Sequence, residues 1–404
     1  MPNSHGHYAW YLASSSLWMA GASLQGFLFT WLIVGVLDQP ADQAGFARSL
    51  AEFPPLIMLL VGGLFGDRVN GKSYLTFMHL AIAIPPLLIA LIFISGYLNY
   101  WWVVCFGMLM AGIQSLSDPA RQAVISRVAP FDIQRAVTIM VICTTLVGQL
   151  GVYIGGQLEE LGLELVLLIQ STLFLLGIWA VRHLPELPAG IYKEAEKRPK
   201  LLDGLKIVWI TPLIRDFIGL NFISSLFNAG AYIIGLPFIV REVYEGGASL
   251  FALVMIIFSL GSIGSNIVLL FFMPLRYPGR LYLILQLTRI VILGLLILKP
   301  SLWLFFLLMI AWGFNMGITS TLVRASVQEL ADLKHRSQIL SVLLFSFIVS
   351  SPISSILLGI LISRTTPLTA LAPGILISGI IFFVGFRFTG LWNHQSPSTT
   401  DGRI

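Results

Sequence analysis

Charge is scarce in this sequence. Asp, Glu, Lys and Arg make up 11% of its 404 residues, where a water-solvated domain carries about 25%. That excludes an ordinary soluble globular domain. Hydrophobic residues make up 57% and the mean hydropathy is +0.88, so lipid is the expected solvent. Cysteine is nearly absent as well. Cys105 and Cys143 show neither CxxC nor metal-site spacing, which excludes a disulfide framework or a zinc site of the usual pattern. Both sit in apolar runs and are expected to be buried thiols. The opening stretch MPNSHGHYAWYLASSS lacks a basic n-region and a small-residue cleavage site, so it is expected to stay attached to the first span. No His/Asp/Glu cluster at catalytic or metal spacing is present, nor a phosphate-binding loop or a nucleophile elbow. Neither an enzyme nor a cofactor is expected. The net charge of +5 reports orientation in a membrane, not nucleic-acid binding.

What the chain has instead is a series of apolar runs. A helical span needs ~20 apolar residues, and there is room for roughly twelve. Spans are expected near 11–37, 47–66, 73–95, 100–122, 133–157 and 164–182, then near 213–240, 249–273, 281–298, 302–323, 338–363 and 368–389. An even number of spans puts both termini on one side. Of the 24 basic residues only Arg48, Arg241, Lys299 and Arg364 fall in odd-numbered connections. The positive-inside rule then places the termini and the central loop in the cytoplasm. Trp101, Trp102 and Trp303 fall at the opposite interface, where aromatic belts form.

The stretch GGLFGDRVNGK (Gly62–Lys72) packs Asp67, Arg68 and Lys72 into a turn between two apolar runs. Its glycines permit a tight turn and close helix ends. Either it is a solvated loop on the cytoplasmic side, or it is a conformational latch. A long polar segment, HLPELPAGIYKEAEKRPKLLDG, divides the chain. The expected division is a first six-helix bundle over 1–182, a linker over 183–211, a second bundle over 212–390 and a tail over 391–404. RQAVISRVAPFDIQRAV closes one span and opens the next in the first half, and VRASVQELADLKHRSQILSV does the same about two hundred residues later. Two parallel six-span halves are a recurrent transporter plan.

GDRVNGK resembles the signature between spans two and three of the major facilitator superfamily, with Gly63, Asp67, Arg68 and Lys72 at matching positions and Asn70 and Gly71 departing from it. DPARQAVISRVAP (Asp118–Pro130) is similar to the P-A-R-Q-A stretch of the drug:proton antiporter-3 branch, which includes macrolide and enterobactin exporters. GVYIGG (Gly151–Gly156) resembles the antiporter signature of span five, with Val152 where proline is expected. The resemblance implies an all-α membrane protein of two six-helix bundles. It also implies that Asp67 sits by a helix start in the other half and pairs with basic residues of span four, Arg121 or else Arg127. A helix N-terminus carries about half a positive charge, so a carboxylate there is favourable.

Glu52 and Asp118 are the acids within apolar spans, and intramembrane acids are candidate proton carriers. Asp118 shares a helical face with Gln114 and Arg121, so a structural ion pair with Arg121 is the competing reading. Glu52 lies beside Pro54 and Pro55 and could instead snorkel outward. His79 is expected as a core or interface histidine, and Arg289 is expected to snorkel to the cytoplasmic interface. Polar and aromatic positions at mid-span are candidates for a substrate pocket: Gln25, Phe29, Gln114, Gln149, Tyr153, Asn228, Tyr232 and Asn315. Each could equally be interhelical glue. Together they suit an uncharged or amphipathic organic molecule.

The resulting expectation is a secondary active exporter of an amphipathic, drug-like compound in the bacterial inner membrane. It would be a monomer working by alternating access against inward proton flow, with a small-molecule substrate and membrane lipid as partners. The alternatives are a lipid-like or siderophore exporter of the same fold, or a sensor or assembly protein that does not transport.

Overall fold

The computed structural model describes residues 4–61, 70–187, 201–332 and 335–396. Among these no strand occurs, and eleven helices are long and apolar enough to cross a membrane. With its backbone hydrogen bonds closed within each helix, a chain this apolar can face hydrocarbon without orphaned donors. The protein is an integral, all-α membrane protein.

The chain divides into two compact units. The first comprises Met1–Pro40, Ala47–Glu194 and Gly246–Leu253; the second comprises Ala41–Phe46, Ala195–Glu245 and Val254–Ile404.

The first unit is built on α1 (Ser4–Trp31), whose last turns continue as a π-helix over Leu32–Val36. The expected second span is divided. Helix α2 (Ala41–Ala51) ends at Glu52, and α3 (Phe53–Val61) restarts beyond it. Pro54 and Pro55 mark the break: they fall in the first turn of α3, where the N–H that proline lacks has no intrahelical partner to lose. Helix α4 (Gly71–Ile94) is N-capped by Asn70, which accepts from Lys72 N at 3.0 Å. Helix α5 (Tyr100–Val128) is capped by Asn99, which accepts from Trp101 N and Trp102 N. Such caps satisfy amides that the first turn leaves orphaned. α6 (Ile133–Gly156), the short α7 (Leu158–Leu161) and α8 (Leu163–Arg182) complete the unit.

α6 lies directly on α1. A Cβ on Gly151 would collide with the Ala20 carbonyl, and one on Gly155 with the Phe27 ring. Glycine is required there because the backbones touch. Tyr8, Tyr11, Leu75, Val124 and Val181 form a buried cluster of this unit.

In the second unit α9 (Leu201–Ile210) occupies part of the stretch expected to be linker, and its Val208 joins the unit's core. Helix α10 (Pro212–Gly230) continues through π-helical Ala231–Gly235, the short α11 (Leu236–Phe238) and π-helical Ile239–Val243. α12 (Ala248–Phe272), α13 (Pro278–Ile297), α14 (Leu302–Leu330), α15 (Arg336–Arg364) and α16 (Ala372–Phe388) follow. Phe217, Tyr282, Val323 and Val327 are fully buried at the centre of its core.

The expected burial of the cysteines is not found. Cys105 is exposed and Cys143 partly so. A surface bathed in hydrocarbon has no reason to turn a thiol inward.

Candidate functional site

The split of the second span has a chemical consequence in the first unit. It leaves Glu52 at the C-cap of α2, one turn after Arg48, and the two form an ion pair at 2.7 Å. They line a hollow of about 220 Å³ together with Gln25, Gly26, Phe29, Gly107 and Gln114. The Arg48 guanidinium lies 5.9 Å from the Phe29 ring centroid. Gln25 Oε1 accepts from Gln170 Nε2 at 2.9 Å, while Gln25 Nε2 is buried with no partner among the described residues. The hollow thus brings amide side chains, an aromatic wall and a carboxylate held by its own helix together.

Deeper in the unit, α5 places Arg121 in a buried polar cluster. Its Nε donates to Ser117 Oγ at 3.0 Å and its Nη2 to His79 Nε2 at 2.9 Å. The guanidinium carbon sits 3.9 Å from the Trp18 ring centroid, close enough for a cation–π contact. His79, fully buried on α4, also approaches the Phe174 carbonyl through Nδ1 at 2.9 Å. A carbonyl only accepts, so Nδ1 carries the proton. Nε2 is therefore the acceptor for Arg121 and for Ser14 Oγ at 3.0 Å. His79 is neutral, with both ring nitrogens in use. Arg121 Nη1 is buried with no hydrogen-bond partner among the described residues.

The Asp118–Arg121 ion pair, the competing reading for Asp118, is not formed. Asp118 is exposed, and the guanidinium turns inward to Ser117 and His79. The helix continues unbroken through Pro119.

At the start of α4, Lys72 Nζ pairs with Glu186 at 3.3 Å, and Asn70 Nδ2 donates to the same carboxylate at 2.9 Å. These hydrogen bonds, Asn70's first and then that of Lys72, hold the Glu186 carboxyl below the ordinary range even though it is exposed. Sequence reasoning passed over Glu186; the signal was an acid directly after the sixth span. Asn70, a departure from the family signature, supplies both the helix cap and a Glu186 contact. The other latch candidates, Gly63, Asp67 and Arg68, lie outside the described residues.

The second unit holds a matching buried cation, contributed by a different helix. Arg289 on α13 is 3% exposed, so the expectation that it snorkels is overturned. Nε and Nη2 donate to Asn315 Oδ1 at 3.0 and 2.8 Å, Nη1 to Ser224 Oγ at 2.6 Å and Gln286 Oε1 at 3.3 Å, and Nη2 also to Thr319 Oγ1 at 3.2 Å. Every guanidinium N–H is used, so the interior satisfies the group better than a reach to the interface would. Asn315 Nδ2 in turn donates to the Leu285 carbonyl and Thr288 Oγ1. Asn228 donates to the Ser224 carbonyl at 2.8 Å.

The sequence profile described as Major Facilitator Superfamily matches residues 11–347. The chain belongs to the major facilitator superfamily. Among solved structures, the nucleoside transporter NupG is 14% identical with a TM-score of 0.75, over 96% of this chain and 100% of that one. A POT family transporter in complex with 5-aminolevulinic acid is 13% identical with a TM-score of 0.74, covering 96% of each chain. A D-xylose-proton symporter is 12% identical with a TM-score of 0.68, over 95% of this chain and 97% of that one. No curated protein sequence matches. As a member of this superfamily the protein is a secondary transporter, not an enzyme.

In this superfamily member the expected pocket residues separate into groups. Gln25, Phe29 and Gln114 meet at one hollow, with Glu52. Asn228 and Asn315 belong to the Arg289 cluster, while Tyr232 stacks on Phe258 at 4.2 Å. Tyr153 is exposed, and Gln149 Oε1 is buried without a partner among the described residues. Neither lines the hollow of the first unit.

Proposed function

We propose that this transporter exports an amphipathic organic compound by alternating access, coupled to inward proton flow. One observation carries the reading. The Arg48–Glu52 pair shares a hollow with Gln25, Phe29 and Gln114, so a titratable acid, hydrogen-bonding amides and an aromatic face adjoin one another. Proton uptake by Glu52 would release Arg48 and change the hollow's charge, which is what coupling requires of a carrier. The export direction rests on the likeness of DPARQAVISRVAP to the drug:proton antiporter-3 branch. The inner membrane as location, cytoplasmic termini and action as a monomer belong to the same proposal.

The test is accumulation of a panel of amphipathic compounds in cells with and without the protein, across external pH. Protein-dependent efflux that rises with an inward proton gradient is the expected result. Glu52→Gln should remove the pH dependence while leaving the protein in the membrane. Efflux with unaltered pH dependence in that variant would remove Glu52 from the coupling role.

A further inference from the structure

Arg121 and Arg324 stand at corresponding places. Each lies roughly two turns from the C-terminal end of its helix, and each sits in one of the two repeated stretches noted above. Their surroundings differ. In the first unit Arg121 fills the buried cluster with His79 and Ser117. In the second unit the buried cation is Arg289, which occupies Asn315, Ser224 and Thr319. Arg324 is exposed.

It faces two adjoining hollows, of about 240 and about 330 Å³, which share Arg324 and Gln328. Ser320, Thr321, Arg324 and Gln328 form one polar face of α14 along them. The opposite wall, on α15, is Leu343, Leu344 and Phe347. Among the described residues, neither hollow is lined by an acid. The larger one falls within the size range of small-ligand sites, about 300–1,000 Å³.

We infer that this is a binding site for an amphipathic anion, its carboxylate or sulfonate on Arg324 and its apolar body against α15. The inference rests on the exporter reading above and specifies its cargo as anionic. A planar guanidinium binds carboxylates in two-point fashion, and among the described residues no competing acid lines the hollow. An amine on the same skeleton would meet like charge.

The test uses the purified full-length protein in lipid nanodiscs and three probes on one skeleton: phenylbutyrate, phenylbutanol and phenylbutylamine. Equilibrium binding should favour phenylbutyrate over the other two by about tenfold or more, the size expected of a hydrogen bond to a charged group. R324Q should abolish the difference, R324K should restore part of it, and F347A should weaken all three probes alike. Equal affinities in the wild type, or a preference for phenylbutyrate that survives R324Q, would overturn the inference. Binding of all three probes that is weak and unchanged in R324Q would do the same. Efflux of the same probes from cells separates the two claims. Protein-dependent efflux without anion preference leaves the exporter reading standing and removes this one. Arg324-dependent phenylbutyrate binding without any efflux does the reverse.

Discussion

At the scale of single residues, the charges that matter are those buried without a carboxylate on their bonding list. Arg289 is held by neutral acceptors alone, and it satisfies every donor it has. Removing it strands Asn315 Oδ1 and Gln286 Oε1 in a low-dielectric interior, where an unmade hydrogen bond carries its full desolvation cost. R289A should therefore destabilise the protein by about 3 kcal/mol, read as a fall in the thermal unfolding midpoint in detergent. R289K should recover little, because an ammonium does not reproduce the planar fork. An unchanged midpoint in R289A would mean that the cluster contributes nothing to the fold. Nothing in the sequence distinguished this arginine from a snorkelling one. Its acceptors lie 26, 30 and 65 residues away, and only the nearby Gln286 is local. Asn228 and Asn315 were legible as polar positions, but not Asn315 as a ligand of a cation.

At the scale of elements, the apolar runs were legible in the sequence and their interruption was not. Eleven of the twelve runs expected as spans appear as single long helices or as helices with a π-helical continuation, because each ~20-residue run satisfies its own backbone. The second was expected as one span over 47–66 and is divided at Glu52 by the two prolines that follow. That division places Glu52 at the C-cap of α2, one turn after Arg48. The glycines of GVYIGG, noted in the sequence for their likeness to a signature, have a packing role as well: α6 presses on α1 through Gly151. G151L should prevent that approach and abolish stable expression, measured by yield and monodispersity after detergent extraction. G294A on α13 has open space around the added Cβ and should leave both within about 1 kcal/mol of wild-type stability. A well-folded G151L protein would show that the α1–α6 contact is not obligatory.

At the scale of the whole molecule, the working cycle of an alternating-access transporter makes and breaks contacts near the signature loop. The structure gives that loop's last lysine a fixed partner in Glu186 and leaves Arg121 Nη1 as a buried donor without one among the described residues. If Asp67 is the acid that serves as latch, D67N should lower efflux severely while membrane insertion is kept, measured as transport per inserted molecule. Full efflux in D67N would reduce the loop to a solvated turn. Composition and hydropathy by themselves determined that this protein lives in lipid and which runs are long and apolar enough to cross it, while the motif GDRVNGK carried the resemblance to the superfamily. Those properties are set locally, by what twenty consecutive residues can bury and bond. Which arginine is buried, which one faces a hollow and which acid Lys72 meets were decided by the tertiary structure alone. Those outcomes depend on helices far apart in the chain, and a side chain's partner is fixed only when the helices pack.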